Sequence, residues 1–445
     1  MVCSPQKTTI NNGTTTTIWK HQYPIPSYLI AFAVAQYEEY HQTVKIGETE
    51  MPVLNYIYPG KTPDNYKEIK KTLDEVPGYI TRLSDLLGEY PFKNEKYGHA
   101  EWDEWGSAME HTTVTFMTSF WPKHIIIHEL AHQWFGNQVT CATWSDIWIN
   151  EGFATFIESL MGYDSGIEDY EYRYGLINNY LLYSADSGSV YNPEPDNPDR
   201  TFNPLLSYSK AGMVVYQLKN YVGNDAFYAA VRNFLKEKQF QFVTTEDLKQ
   251  SLSNFTGVDL TEYFNDWIYG EGYPVFDLSV TRNNINDVLF SVNQTQTHSS
   301  VSFFETPFKV EFIGDNGQSV IKKFDLTHNH QTFHITDLPF TVKDMKFNPL
   351  AEIIAKENQV TVDNEIIQTE DFINIKLNPA ARLISVSSQE AIKGIQIFDL
   401  SGQLIQAVKG GDIFYSVSTV GWSQGVYLIN VDSPKGAISQ KISIF

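Results

Sequence analysis

Two histidines four residues apart, with a glutamate beside the first, stand in the run Lys123-His-Ile-Ile-Ile-His-Glu-Leu-Ala-His-Gln-Trp-Phe-Gly136, where His128, Glu129 and His132 make the pattern H-E-x-x-H. On a helix, positions four apart share a face, so both imidazoles can grip one ion while Glu129 reaches its open side. After the eighteen intervening residues 133–150 comes Glu151, within Trp148-Ile-Asn-Glu-Gly-Phe-Ala154. A second helix carrying Glu151 completes a His, His, carboxylate set and leaves a fourth position for water, the ligand arrangement of a catalytic zinc, one ion per chain. Two surface histidines on an ordinary core helix are the bland alternative. The N-E-G-F-A run at this separation argues against it.

The elements that must hold these residues can be read around them. Pro122 fits the first turn of the metal helix and Gly136-Asn137 its end. Upstream, Ile69, Leu73, Val76, Ile80, Leu83 and Leu87 recur at three and four, which predicts a core helix over about 64–88 beside the metal helix, kinked or broken at Pro77-Gly78. Ser107-Ala-Met-Glu-His111 precedes an alternating, strand-like run, Thr112–Phe116, so Glu110 stands at a strand edge near the zinc helix. On the residues alone it reads equally as a solvated acid. From Glu151 to about 270 the periods are helical, and Tyr208 comes just before a helix over about 210–222, as a cavity hydroxyl or a packed ring. Residues 1–48 read as two or three strands, including Tyr28-Leu-Ile-Ala-Phe-Ala-Val-Ala35. After Tyr269-Gly-Glu-Gly-Tyr-Pro274 period-two runs take over and describe a β-sandwich to about Ala355, followed by a polar linker and more strands.

Composition narrows the partners. At 445 residues the chain holds roughly three domains on a prior of about 150 residues each. Its 32 Lys and Arg against 53 Asp and Glu give a net charge of −21, which argues against nucleic acid or anionic lipid as the main partner. Residues 371–445 are near neutral, so the acidity lies upstream. Two cysteines, Cys3 and Cys141, are too few for a disulfide framework. The longest apolar stretch, Tyr28–Ala35, is far short of the ~20 residues a membrane helix requires, so no membrane span is expected. The first residues, Met1-Val-Cys-Ser-Pro-Gln-Lys, do not read as a signal peptide.

The run from about Trp19 to Ala355 resembles the aminopeptidase N and leukotriene hydrolase family of zinc peptidases. The matching motifs, in order, are Tyr28-Leu-Ile-Ala-Phe-Ala-Val, Gly88-Glu-Tyr-Pro-Phe92, Ala108-Met-Glu110, His128 to Asn137, Trp148 to Ala154, and Tyr208-Ser-Lys-Ala-Gly212. The resemblance implies a multidomain α+β chain with a thermolysin-like, mainly helical catalytic domain. It further implies that Glu110, with Ala108 and Met109, binds the substrate's free amino group and that Tyr208 stabilises the transition state. The family's G-x-M-E-N reads S-A-M-E-H here, so Ser107 and His111 depart from it. The last eighty or so residues resemble the carboxyl-terminal sorting domain of proteins exported by the type IX system of Bacteroidetes, on Leu377-Asn-Pro379, Ile397-Phe-Asp-Leu-Ser-Gly402, Gly425-Val-Tyr-Leu428 and Ser439 to Ile444.

The domain expectation is therefore a remnant of an amino-terminal β domain at 1–48, a catalytic domain at 49–270, a β-sandwich at 271–356, a linker at 357–371 and a sorting β-sandwich at 372–445. The shortened amino-terminal domain and the absence of a signal peptide lead to the expectation that the chain is part of a longer precursor, secreted or held at the cell surface through the type IX machinery. The expected activity is hydrolysis of amino-terminal peptide bonds in peptides with a free amino terminus, with Glu129 as general base. The rivals are a thermolysin-like endopeptidase, which needs no amine anchor at Glu110, and a catalytically silent surface or binding protein.

Overall fold

The computed structural model describes residues 4–103, 108–120, 123–161, 170–184, 186–284, 287–363, 373–388, 390–434 and 436–445. Ser107 and Pro122, to which the sequence assigned roles, lie outside the described residues. The chain divides into two compact units, the first holding residues 1–272 with the short segments 298–301 and 350–354, the second holding the remainder.

The first unit is built on a five-stranded sheet in the order Glu38–Ile46, Thr49–Ile57, Tyr97–Glu101, Thr115–Met117 and Ala108–Met109. Ala108–Met109 is therefore an edge strand, paired antiparallel with Thr115–Met117 through Ala108–Met117 and Met109–Phe116. The boundary expected at residue 48 cuts a hairpin: Glu38–Ile46 pairs along its whole length with Thr49–Ile57, so it belongs to the catalytic sheet. A separate hairpin joins Ser4–Asn11 and Thr14–Lys20. Tyr28–Ala35, expected as a strand, instead leaves a 3-10 turn at Ser27–Leu29 and runs outside any sheet, with Ala31 and Ala33 packed on Ala100, Val114 and Phe116.

Helices pack around this sheet. The stretch expected near 64–88 is two helices, Pro63–Leu73 and Val76–Leu87. The break falls at Asp74-Glu75, because Pro77 is accommodated in the first turn of the second helix, where its missing N–H is not needed. The metal helix, Lys123–Ala131, stops sooner than Gly136; yet the His132 N–H still reaches the His128 carbonyl at 3.2 Å and keeps the four-residue register. The glutamate helix, Trp148–Met161, is buried along its whole length. It meets the helix Ala211–Val222 at unusually close range. A Cβ on Gly152 would stand 2.8 Å from the Ala211 Cβ, and one on Gly212 2.7 Å from Thr155, so the glycines of N-E-G-F-A and S-K-A-G are where two helix backbones touch. No helix among the described residues is long and apolar enough to cross a membrane.

The second unit contains two sandwiches of like plan. In the first, a four-stranded sheet (Gln331–Ile335, Asp287–Gln296, Pro274–Asn284, Lys356–Asp363) faces a three-stranded one (Ser319–Leu326, Thr306–Gly314, Val342–Phe347). Aromatic rings fill it, with Phe290 set 4.6 Å from Phe324. The expected linker at 357–371 begins inside this domain: Lys356–Asp363 is an edge strand parallel to Pro274–Asn284, despite its polar composition, because one face of an edge strand meets water. In the second, the sheet Ile373–Asn378, Leu383–Ser388, Phe414–Ser418 faces the sheet Leu404–Lys409, Gly394–Asp399, Gly425–Ser433, Gly436–Ile444. Its core is Ile373, Ile375, Ile384, Val386, Ile395, Ile397, Val417, Tyr427, Ile429, Val431 and their neighbours.

Candidate metal and catalytic centre

The metal helix and the glutamate helix bring three ligand atoms to one point. His128 Nε2 lies 3.0 Å from His132 Nε2 and 3.2 Å from Glu151 Oε2, and His132 Nε2 lies 3.3 Å from the same oxygen. A tetrahedral zinc with ligands at about 2.0–2.1 Å sets those ligands about 3.3 Å apart. The observed triangle matches one face of such a tetrahedron, and all three residues line one cavity. The other nitrogen of each imidazole is engaged: His128 Nδ1 pairs with Glu158 Oε1 at 2.5 Å and His132 Nδ1 with the Phe135 carbonyl at 2.9 Å. Both partners accept, so with a metal bound each Nδ1 would keep its proton and each Nε2 lone pair would be left for the metal. Glu158 also accepts from the Tyr172 hydroxyl. Gly136 makes the turn after His132 with φ of +131°, and a Cβ there would sit 3.3 Å from His132 Nδ1.

Electrostatics favour a cation at this point. Burial lowers both imidazole pKa values, but Glu158 and Glu151 more than offset this at His128, and Glu151 and Glu110 bring His132 up to about 9. Burial would raise Glu151; His132 and His128 instead pull it down to about 2. Glu129, one residue beyond the first ligand, is buried and pushed up to about 8, chiefly by burial, and its Oε2 has no hydrogen-bond partner. An unpaired buried carboxylate oxygen costs stability on the order of 1–3 kcal/mol. One aimed into a reaction cavity is free to accept from a water or substrate.

A cavity of about 430 Å³ surrounds this point, and Ala108, Met109, Glu110, Glu129 and Tyr208 all line it together with the three ligand residues. Glu110 is buried, and burial holds its carboxyl above the usual range against the pull of His132. Its backbone is fixed from the far side: Asn137 Nδ2 donates to the Glu110 carbonyl at 2.9 Å, and the Thr113 N–H donates to Gln133 Oε1 at 2.9 Å. Thr113 takes φ of +66°, a strained conformation for a β-branched residue, and Gln133 restrains it. His111 does not line the cavity; its ring packs edge-on against Phe116 at 4.8 Å, and burial lowers its pKa to about 4. Tyr208 stacks over His128 at 6.0 Å, and burial, then Glu151, raise its pKa, so its hydroxyl stays protonated and can donate.

Sequence reading missed several residues of this site. Glu158 stands two turns beyond Glu151 on the same helix, and an acid inside a buried helix is the signal that could have found it. Gln133 and Asn137 were visible only as parts of a motif. Tyr28 reaches the cavity from the non-sheet segment, with its hydroxyl accepting from Asn150 Nδ2 at 3.4 Å.

Two imidazoles, a carboxylate and an adjoining glutamate with an unpaired oxygen make a donor set that fits zinc, at the H-E-x-x-H spacing. Residues 108–267 match the peptidase family M1 domain, and residues 377–445 match the secretion system C-terminal sorting domain. The bovine glutamyl aminopeptidase is 26% identical over 64% of this chain and 32% of its own length. Among solved structures, the M1 zinc metallopeptidase of Deinococcus radiodurans aligns with a TM-score of 0.52 at 25% identity, over 60% of this chain and 59% of that one. Aminopeptidase A of Legionella pneumophila shares the fold with a TM-score of 0.62 at 16% identity, over 80% of this chain and 42% of that one. The chain is thus similar to M1 zinc metallopeptidases over residues 108–267 and to carboxyl-terminal sorting domains over 377–445. It spans about a third of the length of the bovine relative it matches.

Proposed function

We propose that this chain is a zinc-dependent aminopeptidase that removes single residues from the free amino end of peptides, exported through the type IX machinery by its carboxyl-terminal domain. The observation that carries the reading is the placement of Glu110, a buried carboxylate on the sheet's edge strand side, in the same cavity as the His128, His132 and Glu151 triangle. Held by those three residues, zinc supplies Lewis acidity, polarising a carbonyl and bringing a water's pKa to near ~7. Glu110, with Ala108 and Met109, receives the substrate's ammonium and sets the register at one residue from the end. Glu129 takes the proton of the attacking water through its free Oε2 and delivers it to the departing amine, leaving an amino acid and a shortened peptide. Tyr208 donates a hydrogen bond to the oxyanion as charge develops there.

The test uses the zinc-loaded protein with paired peptides that are free or acetylated at the amino end. Hydrolysis of the free peptide alone, with that preference reduced about ten-fold or more in Glu110→Ala, supports the reading. Equal cutting of both peptides assigns an endopeptidase instead.

A further inference from the structure

The cavity has two ends, and the metal helix orders them. The carbonyl of Glu110 is tied to Asn137, beyond the carboxyl end of that helix, whereas His124 and Ile125 line the cavity one turn before His128, facing Tyr172 and Leu176. If Glu110 holds the amine, as the proposed function requires, the first side chain of the substrate lies at the Glu110 end and the departing peptide at the His124 end. At the Glu110 end three aromatic rings stand in a row. Tyr28 is edge-on to Trp144 at 5.6 Å, and Trp144 meets Phe202 at 6.1 Å. The segment carrying Tyr28 is tied beside Glu110, because the Thr112 N–H donates to the Leu29 carbonyl at 3.3 Å.

Two of these rings are not explained by core packing, since Trp144 is 39% and Phe202 49% exposed, yet both line the cavity. Their backbones are nevertheless held in place. The fully buried Asn192 donates from one Nδ2 to the Trp144 carbonyl at 3.1 Å and to Thr201 Oγ1, next to Phe202, at 3.0 Å. Large rings kept partly in water by a buried clamp are pre-organised for an apolar guest. The charge pattern points the same way. Among the described residues that line the cavity there is no lysine or arginine, while Glu110, Glu129, Glu151 and Glu158 all face it. An acidic side chain entering here loses hydration, meets like charge and finds no partner.

We propose that Tyr28, Trp144 and Phe202, together with Met109, form the pocket for the substrate's first side chain, and that this pocket selects large apolar or aromatic residues over acidic ones. The inference rests on the aminopeptidase reading, and two assays separate their failures. In the first, the zinc-loaded full chain is given the 4-nitroanilides of phenylalanine, leucine, alanine and glutamate. Phenylalanyl and leucyl substrates are expected to exceed alanyl by about ten-fold in kcat/KM, and glutamyl to fall about a hundred-fold below them. Trp144→Ala, at a partly exposed site, should reduce the phenylalanyl-to-alanyl ratio about ten-fold, a ratio unaffected by the fraction of active protein. A glutamyl rate equal to the phenylalanyl rate, or an unchanged ratio in Trp144→Ala, overturns the pocket. In the second, calorimetry measures phenylalanine amide and glutamic acid α-amide binding to zinc-loaded Glu129→Gln. Tighter binding of the phenylalanine amide by ten-fold or more supports the pocket even should all four anilides resist hydrolysis, which would sink the aminopeptidase reading alone. Equal or tighter binding of the glutamic acid amide overturns the pocket.

Discussion

The first unit and the second differ most in what they bury. In the first, Glu101, Glu110, Glu129, Asp146, Glu151, Glu158, Arg173, Lys210, Lys219 and Asp266 are all buried charged residues. In the second, no Asp, Glu, Lys, Arg or His among the described residues is buried; the polar side chains inside are Ser, Thr and Gln, and the cores are mainly Ile, Val, Leu and Phe. Burying a charge is costly unless it is paired, so each such residue in the first unit needs a partner or a task. Glu158, Arg173 and Lys210 have protein partners: His128, the carbonyls of Leu350 and Ala351, and the carbonyls of Gly188 and Gly270. Glu129 has none on Oε2, and that is the atom the chemistry needs. The contrast separates a unit that buries charged groups around a candidate metal site from one whose interior is apolar.

The comparison can be broken by paired substitutions. Glu129→Gln removes the base and keeps the shape. Turnover should drop by roughly 10²- to 10⁴-fold while zinc content by mass spectrometry and the thermal midpoint stay level or rise. Ile384→Ala, in the fully buried core of the last sandwich, should do the opposite. Calorimetric unfolding should show that domain weakened by about 2–5 kcal/mol with kcat/KM unchanged. A loss of activity in Ile384→Ala, or of stability in Glu129→Gln, would erase the division of labour.

Two smaller effects sharpen it. Glu158→Gln keeps an acceptor but not the charge beside His128 Nδ1, and zinc affinity measured against a chelator should weaken about 10- to 100-fold. His99 is buried in the central sheet with Nδ1 at 2.7 Å from Asn55 Oδ1, and burial lowers its pKa to about 3. It is neutral in the fold while the unfolded chain protonates it below about 6.5. Its contribution to stability is therefore complete above pH 6.5 and lost as pH falls from there toward 3, at up to about 1.4 kcal/mol per pH unit. His99→Gln should flatten the fall of stability between pH 6.5 and 4 in urea titrations; an unchanged slope would show that another group controls it.

The metal set was legible because its geometry is local. His128 and His132 are one helical turn apart, and Glu151 begins a helix whose sequence reads as one. The alternation of Phe308-Lys-Val-Glu-Phe312 likewise told the sandwich from the helices. What sequence could not show depends on distant partners. The fixing of Glu110 by Asn137, the clamp of Asn192 on Trp144 and Thr201, and the pairing of Glu38–Ile46 with the catalytic sheet are decided by which segments meet in space. Composition misled at 357–363, where a polar run expected as linker is part of an edge strand, and at Tyr28–Ala35, where an apolar run is not a strand.

Diffraction at the zinc absorption edge from the zinc-loaded protein tests the central claim most directly. The expected result is a single anomalous peak at the centre formed by His128 Nε2, His132 Nε2 and Glu151 Oε2, about 2.0–2.2 Å from each, and its loss in Glu151→Ala. A peak elsewhere, or none at that centre with zinc in excess, would contradict the account.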